Sequence, residues 1–230
     1  KNTVDSERML GLIEANAFEV IADPQDADII VVNTCGFIEA AKEESLEAVM
    51  AAHHLKVQGR CKGVIVTGCL AQRYHETLKD ELIEADELLT LEQESEIVPY
   101  IDRLLRNART KTLKTAMRSR LTPKHWSYLR MSDGCDHKCA FCAIPLIKGR
   151  HKSEPMEYLL EEATRLAASG VRELVLVSQD SVRYGADLYG RSRLVALIEK
   201  LSRINGIEWI RLMYVYPAFW TDEMIELFAT

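Results

Sequence analysis

Short, continuous apolar runs separated by stretches of helical periodicity constrain this fold most. DIIVVN (28–33) and GVIVT (63–67) lack the apolar–polar alternation of a half-exposed strand. Strands buried on both faces read this way, and they belong to parallel sheets covered by helices. Residues 5–16, 38–55 and 71–85 have helical spacing, and 94–108 is a further amphipathic stretch. Strand–helix–strand–helix in this rhythm predicts a small parallel sheet with right-handed crossovers. A second series opens with the strand SYLRMS (127–132). It continues with a helix over 154–170 closed by Gly170, and a strand then loop over 171–180. A helix over 192–206, a strand over 207–217 and a helix starting near Thr221 complete it. The expected class is α/β: a small parallel-sheet N-terminal domain followed by a partial (βα) barrel.

The expected divisions are 1–108, a linker at 109–126, and 127–230. From Arg103 to Arg130 there are nine Lys or Arg and no Asp or Glu. Such a run reads as a solvated linker, or as a contact surface for an acidic or RNA-containing partner. The net charge of −6 argues against a general nucleic-acid binder. No apolar run reaches the roughly 20 residues that span a bilayer. The N-terminus lacks the basic-then-apolar pattern of a signal peptide, so a cytoplasmic location and no membrane partner are expected. The chain has no initiator Met and stops at ELFAT inside a helical stretch, so it is expected to be truncated at both ends.

Six cysteines are present, and in a long chain of this kind clustered thiols point to metal or redox chemistry. Cys135, Cys139 and Cys142 stand in a C-x3-C-x2-C pattern within GCDHKCAFCAIP (134–145). A structural zinc site closes with four ligands, and His137 or His151 could supply the fourth. A fully ligated four-iron cluster also takes four cysteines, so three leave one iron open. Radical enzymes that use S-adenosylmethionine need such an iron to chelate the methionine end of their cofactor. The triplet follows a strand, where barrel active sites lie. Cys35 and Cys69 each fall just past the end of an apolar run, at the same sheet edge, beside Gly36 and Gly68, which leave room for a bulky cofactor. Two buried structural thiols are the competing reading. Cys61 lies at the opposite end and reads as an ordinary free thiol. His53 and His54 read as structural or exposed.

With these residues in view, the chain resembles the radical S-adenosylmethionine methylthiotransferases. The resemblance runs through KNTVDSERMLG, NTCGFIEAAKEES, VTGCLAQRY, GCDHKCAFCAIP and LVSQDSVRYG, and so covers essentially the whole chain. It is closest to the branch that modifies an aspartate of ribosomal protein S-twelve. The tRNA-modifying branch typically has a serine where this chain has Gly36-Phe37, and an asparagine in place of Asp180.

The resemblance implies two 4Fe-4S clusters and S-adenosylmethionine as cofactors. Cys135, Cys139 and Cys142 would hold the radical cluster. Cys35 and Cys69 would hold part of the auxiliary cluster, its third cysteine falling just before Lys1, and a C-terminal TRAM domain would be absent. One S-adenosylmethionine would methylate sulfur at the auxiliary cluster. A second would give a 5'-deoxyadenosyl radical that removes hydrogen from the aspartate β-carbon. An external electron donor, a sulfur donor and the small-subunit ribosomal protein are the implied partners, with direct RNA contact possible. Phe141, Ser178, Gln179, Asp180 and Tyr216 are cofactor-binding candidates. Phe141 reads otherwise as core, and Tyr214 and Tyr216 are expected to share one face of strand 207–216, opposite Arg211. GRHKSEP (149–155) departs from the family's usual stretch, with Lys152 and Glu154 in place of two arginines. A tRNA methylthiotransferase and a non-catalytic iron–sulfur or zinc protein are the alternatives.

Overall fold

The computed structural model describes residues 1–106, 114 and 116–229. They form two compact units that divide between Ser119 and Arg120.

The first unit opens with helix α1 (Asn2–Ala15), followed by strand β1 (Ile29–Thr34), helix α2 (Glu39–Gln58) and strand β2 (Gly63–Gly68). Helices α3 (Cys69–Arg73) and α4 (His75–Glu81), strand β3 (Glu87–Leu88) and helix α5 (Ile97–Leu104) complete it. The three strands are parallel, in the order β1-β2-β3. The two apolar runs sit here for a simple reason. Alternate strand residues face opposite sides. Ile65, with Ile29 and Val31, packs against Met9, Ile13, Ile97 and Ile101 of α1 and α5. Val64 and Val66, with Ile30 and Val32, pack against Val49 and Ala52 of α2. Both sides of the sheet are covered, so neither run needs polar alternation.

The sequence reading differs from the structure in three places here. The helix expected over 71–85 is two helices, broken at Tyr74. β3 was not expected, because two residues carry no period. The described residues of the expected linker do not stand apart. Asn16 Nδ2 donates to the Lys114 carbonyl at 3.1 Å and Ser119 N donates to the Glu7 carbonyl at 2.9 Å, so this stretch lies along α1. The rest of the expected linker's first half, 109–113 and 115, lies outside the described residues.

The second unit contains strand β4 (Trp126–Arg130), the short strand β5 (Ser132–Asp133), helix α6 (Ile144–Ile147) and strand β6 (Lys152–Ser153). Helix α7 (Met156–Ala168), strand β7 (Glu173–Val177), helices α8 (Ala186–Tyr189) and α9 (Leu194–Leu201), strand β8 (Trp209–Leu212) and helix α10 (Asp222–Ala229) follow. β4, β7 and β8 form a parallel sheet in that order, while β5 and β6 pair antiparallel. α7 turns Met156, Leu159, Ala163 and Leu166 toward the sheet, at helical spacing. They bury Leu129, Leu174 and Leu176, each of which contributes about 1.5–3 kcal/mol by leaving water. Strand and helix alternate here as in βα barrels, with three parallel strands among the described residues. The strand expected over 207–217 is shorter, because the chain leaves the sheet after Leu212 and Tyr214 takes a positive φ of 58°. Tyr214 and Tyr216 therefore do not share a strand face. Arg211 stays on β8, its Nε 2.7 Å from Glu173.

The basic run is not a uniformly solvated surface. Arg118 and Arg130 are both buried, Arg118 against Glu7 and Arg130 beside Asp133. Among the described residues no helix is long and apolar enough to cross a membrane.

Candidate metal and cofactor site

The β5–β6 pair pinches the chain into a loop over 134–151, and the three clustered cysteines lie on it. Ser132 pairs with Ser153 and Asp133 with Lys152 at its base. Above this pair, Cys135 N donates to the Gly149 carbonyl at 3.1 Å, and His151 N donates to Asp136 Oδ1 at 3.1 Å. Lys148 Nζ lies 3.1 Å from Asp133. Gly134 has a φ of +70°, and a Cβ there would meet the Arg150 carbonyl at 2.0 Å. No other residue type fits this crossing of the two arms.

The loop leaves β5, shortly past the C-terminal end of β4, and its base is fastened, while its tip faces outward. Cys135 and Cys142 are partly exposed and Cys139 is exposed, all three as free thiols. A turn closed by Cys142 N on the Cys139 carbonyl at 3.1 Å joins the last two. Burial pushes the Cys135 thiol up, and the nearby Asp180, Cys142 and Cys139 add to the effect, against one donor, His137 N at 3.4 Å. Thiols that oppose one another's ionisation are relieved by a shared cation, which deprotonates them outright. Among the described residues no three Cys, His, Asp or Glu side chains converge as the ligands of one ion do. Three cysteine thiols on one loop are the kind of donor set that could hold a four-iron cluster with one iron left open. His151 is buried with its Nε2 on Ser153 at 3.1 Å.

The end of β7 reaches the same loop. Asp180 is 2% exposed. Its Oδ1 accepts from Val182 N at 3.2 Å and its Oδ2 pairs with His137 Nε2 at 2.7 Å. Ser178 is buried with its hydroxyl on Ser181 at 2.8 Å, so its side chain serves the loop's own structure. Gln179 lies between them, partly exposed. The end of β8 adds aromatic rings. Tyr216 and Phe219 lie 5.0 Å and 5.7 Å from the His137 ring. Phe141 is 89% exposed, which excludes the core role. Of the expected cofactor contacts, Phe141 and Tyr216 are exposed, Gln179 is partly exposed with its Oε1 accepting from Lys1 Nζ at 2.7 Å, and the side chains of Ser178 and Asp180 are turned inward. The His137–Asp180 contact was not read from the sequence, where His137 figured only as a possible zinc ligand.

In the first unit, Thr34 pairs with Gly68 at the ends of β1 and β2. Cys35 and Cys69 each follow one of these residues, so both thiols stand at one sheet edge and both are partly exposed. Ser45 clamps the first of them, accepting from Cys35 N at 2.9 Å while its hydroxyl donates to the Ala41 carbonyl at 2.7 Å. The reason for the two neighbouring glycines is internal. A Cβ on Gly36 would meet the Leu70 backbone at 2.7 Å, and one on Gly68 the Thr34 carbonyl at 2.4 Å. Chain packs against chain here, and the expected space for a cofactor is not what requires these glycines. Cys61 lies in the core on the α2 side, its thiol 3.3 Å from the Gly63 carbonyl. His53 Nδ1 lies 3.3 Å from the Glu84 carbonyl, a structural contact, and His54 is exposed.

A family model described as "Uncharacterized protein family UPF0004" matches residues 1–90, and one described as "Radical SAM superfamily" matches residues 129–230. A protein named "Ribosomal protein uS12 methylthiotransferase RimO" from Desulforamulus reducens is 44% identical over 238 residues, spanning 100% of this chain and 54% of that protein. Proteins of the same name from Sulfurihydrogenibium sp. and Lachnoclostridium phytofermentans are 47% and 46% identical. They span 95% and 99% of this chain, and 49% and 53% of their own length. The chain thus spans about half the length of the curated relatives it matches. A solved structure of the radical S-adenosylmethionine methyltransferase TsrM from Kitasatospora setae, with cobalamin and a 4Fe-4S cluster bound, is similar with a TM-score of 0.53. It is 13% identical, over 87% of this chain and 47% of that one, a likeness of fold.

Proposed function

We propose that this chain, a member of the RimO-like radical S-adenosylmethionine methylthiotransferases, is the part of an enzyme that transfers a methylthio group to the β-carbon of an aspartate in ribosomal protein uS12. The pinched three-cysteine loop at the end of β4, with the end of β7 brought against it, carries this reading. Cys135, Cys139 and Cys142 would hold one 4Fe-4S cluster, and Cys35 and Cys69 would contribute to a second. Held by three thiolates, the first cluster would supply an open iron for binding and reductive cleavage of S-adenosylmethionine, and the second would supply the place where sulfur is methylated.

The chain's own residues then have separable tasks. The fastened base of the loop would hold Cys135 in place before any cofactor arrives, which would lower the ordering cost of loading. Gln179, with the main chain around Ser178, would orient the methionine end of S-adenosylmethionine at the strand end, where barrel sites act. Phe141 and Tyr216 would offer apolar faces to its adenine and keep water from the reacting carbon. An external electron donor and a sulfur donor complete the reaction. Two of the nine cations of the basic run, Arg118 and Arg130, are turned to internal carboxylates, which weakens the run as support for a tRNA substrate.

The experiment uses the full-length protein, reconstituted with iron and sulfide without oxygen. About eight irons per chain are expected. Reduction with S-adenosylmethionine should release 5'-deoxyadenosine, and uS12 should gain the mass of a methylthio group. The Cys139→Ala variant should lose both. Zinc in place of iron, or methylthiolated tRNA with unmodified uS12, would overturn the reading.

A further inference from the structure

We infer that His137 and Asp180 form a latch that sets the position of the cysteine loop against the end of β7, making His137 a positioning residue for the radical cluster. The inference rests on the assignment of Cys135, Cys139 and Cys142 to that cluster.

Three observations meet at His137. It lies between Cys135 and Cys139, and its main-chain N–H points at the Cys135 sulfur, 3.4 Å away. Its ring donates through Nε2 to Asp180 Oδ2 at 2.7 Å, across a separation of 43 residues. Tyr216 tilts against that ring at 46°, and Phe219 stacks on it with an interplanar angle of 22°. The other end of the bond is equally fixed. Asp180 is buried, and its second oxygen caps the turn that begins at Ser181. A buried carboxylate needs its hydrogen bonds, so Asp180 holds the histidine as firmly as the histidine holds the loop.

The consequence is mechanical. The base of the loop is pinned by β5, β6, Asp133 and Lys148, but these contacts lie away from its tip. His137 ties the tip side to the strand end that carries Gln179. One bond therefore sets the spacing between the thiols and the residues proposed to orient S-adenosylmethionine. It also directs a backbone N–H toward a ligand sulfur, and such contacts tune cluster potentials.

The test is made on the full-length protein in a Cys35→Ala/Cys69→Ala background, so that only the radical cluster loads. His137→Ala, Asp180→Asn and the double variant are compared for iron release to a chelator, reduction potential, and the S-adenosylmethionine-induced change in the spectrum of the reduced cluster. Partners of metal ligands cost 10–100-fold when removed. Each single variant should release iron about tenfold faster, with a shifted potential and a weakened response to S-adenosylmethionine. The double variant should be no worse than His137→Ala, since both changes open the same bond. Unchanged release and potential in single variants that still carry iron would overturn the latch alone. So would additive effects in the double variant. A background protein that takes up zinc or no iron would overturn the cluster assignment and the latch with it.

Discussion

Arg118 places Nη1 3.0 Å from the carboxylate of Glu7, with the two side chains 5% and 0% exposed. A residue from the middle of the most basic stretch of the chain is thus a buried counter-charge for α1. Removing one partner of a buried pair leaves the other charge in a poor solvent for it, at a cost of about 3–5 kcal/mol. Arg118→Ala should therefore lower the stability of the N-terminal unit by about 3 kcal/mol. A change at an exposed side chain such as Lys124→Ala should move it by less than about 0.5 kcal/mol. Urea denaturation of the full-length variants checks both.

Gly134 and Gly149 both have positive φ, +70° and +71°. Only the first is crowded: nothing lies within 4 Å of a Cβ at Gly149. Gly149→Ala should cost only the backbone penalty, about 1 kcal/mol. Gly134→Ala must also push aside the Arg150 carbonyl, so the arms of the loop should part. Expected in the full-length protein are a drop from about eight to about four irons per chain and loss of 5'-deoxyadenosine formation. Gly149→Ala should keep its iron.

His151 is 7% exposed, and burial holds its imidazole below the usual histidine value, against the opposing pull of Asp187 and Asp136. The unfolded chain takes up a proton near pH 6.5 and the folded one does not. Stability therefore rises with pH across this window. The contribution is complete above about 6.5 and is lost as pH falls below that toward the folded value, with a slope of at most about 1.4 kcal/mol per unit. Asp187 also has a lowered value. Burial pulls it up, but the hydrogen bonds from Ser153 outweigh that, and its loss comes near pH 4 and below. Thermal unfolding between pH 8 and pH 5 should show the slope, and His151→Gln should flatten it.

Cys61 packs beside Val49, Ala52 and Val64. Cys61→Ala should leave iron content unchanged and cost about 1 kcal/mol, as the loss of a small buried group does. Loss of iron in that variant would show that Cys61 ligates metal.

Much of the fold was legible because its signals are periodic and local. β1 and β2 were read from runs apolar at successive positions, and α7 from apolar residues at helical spacing. The cysteine triplet was legible for the same reason, since its spacing is short and its chemistry depends on residue type. The two-residue strands β3, β5 and β6 were not legible, because no period fits in two residues. Nor was the end of β8, where the run IEWIRLMYVYP stays apolar past Leu212 while the backbone turns at Tyr214.

By itself the sequence determined the α/β alternation, the two sheets, and which cysteines stand at strand ends. These follow from side-chain period and from the order of elements along the chain. Only the tertiary structure decided which of the basic residues are buried, that Phe141 is exposed, and that Gly36 and Gly68 serve packing. It alone paired Glu7 with Arg118, 111 residues apart, and His137 with Asp180, 43 apart. Such pairs form where separate loops and helices converge. Their energy comes from shared burial, which no local pattern in the chain encodes.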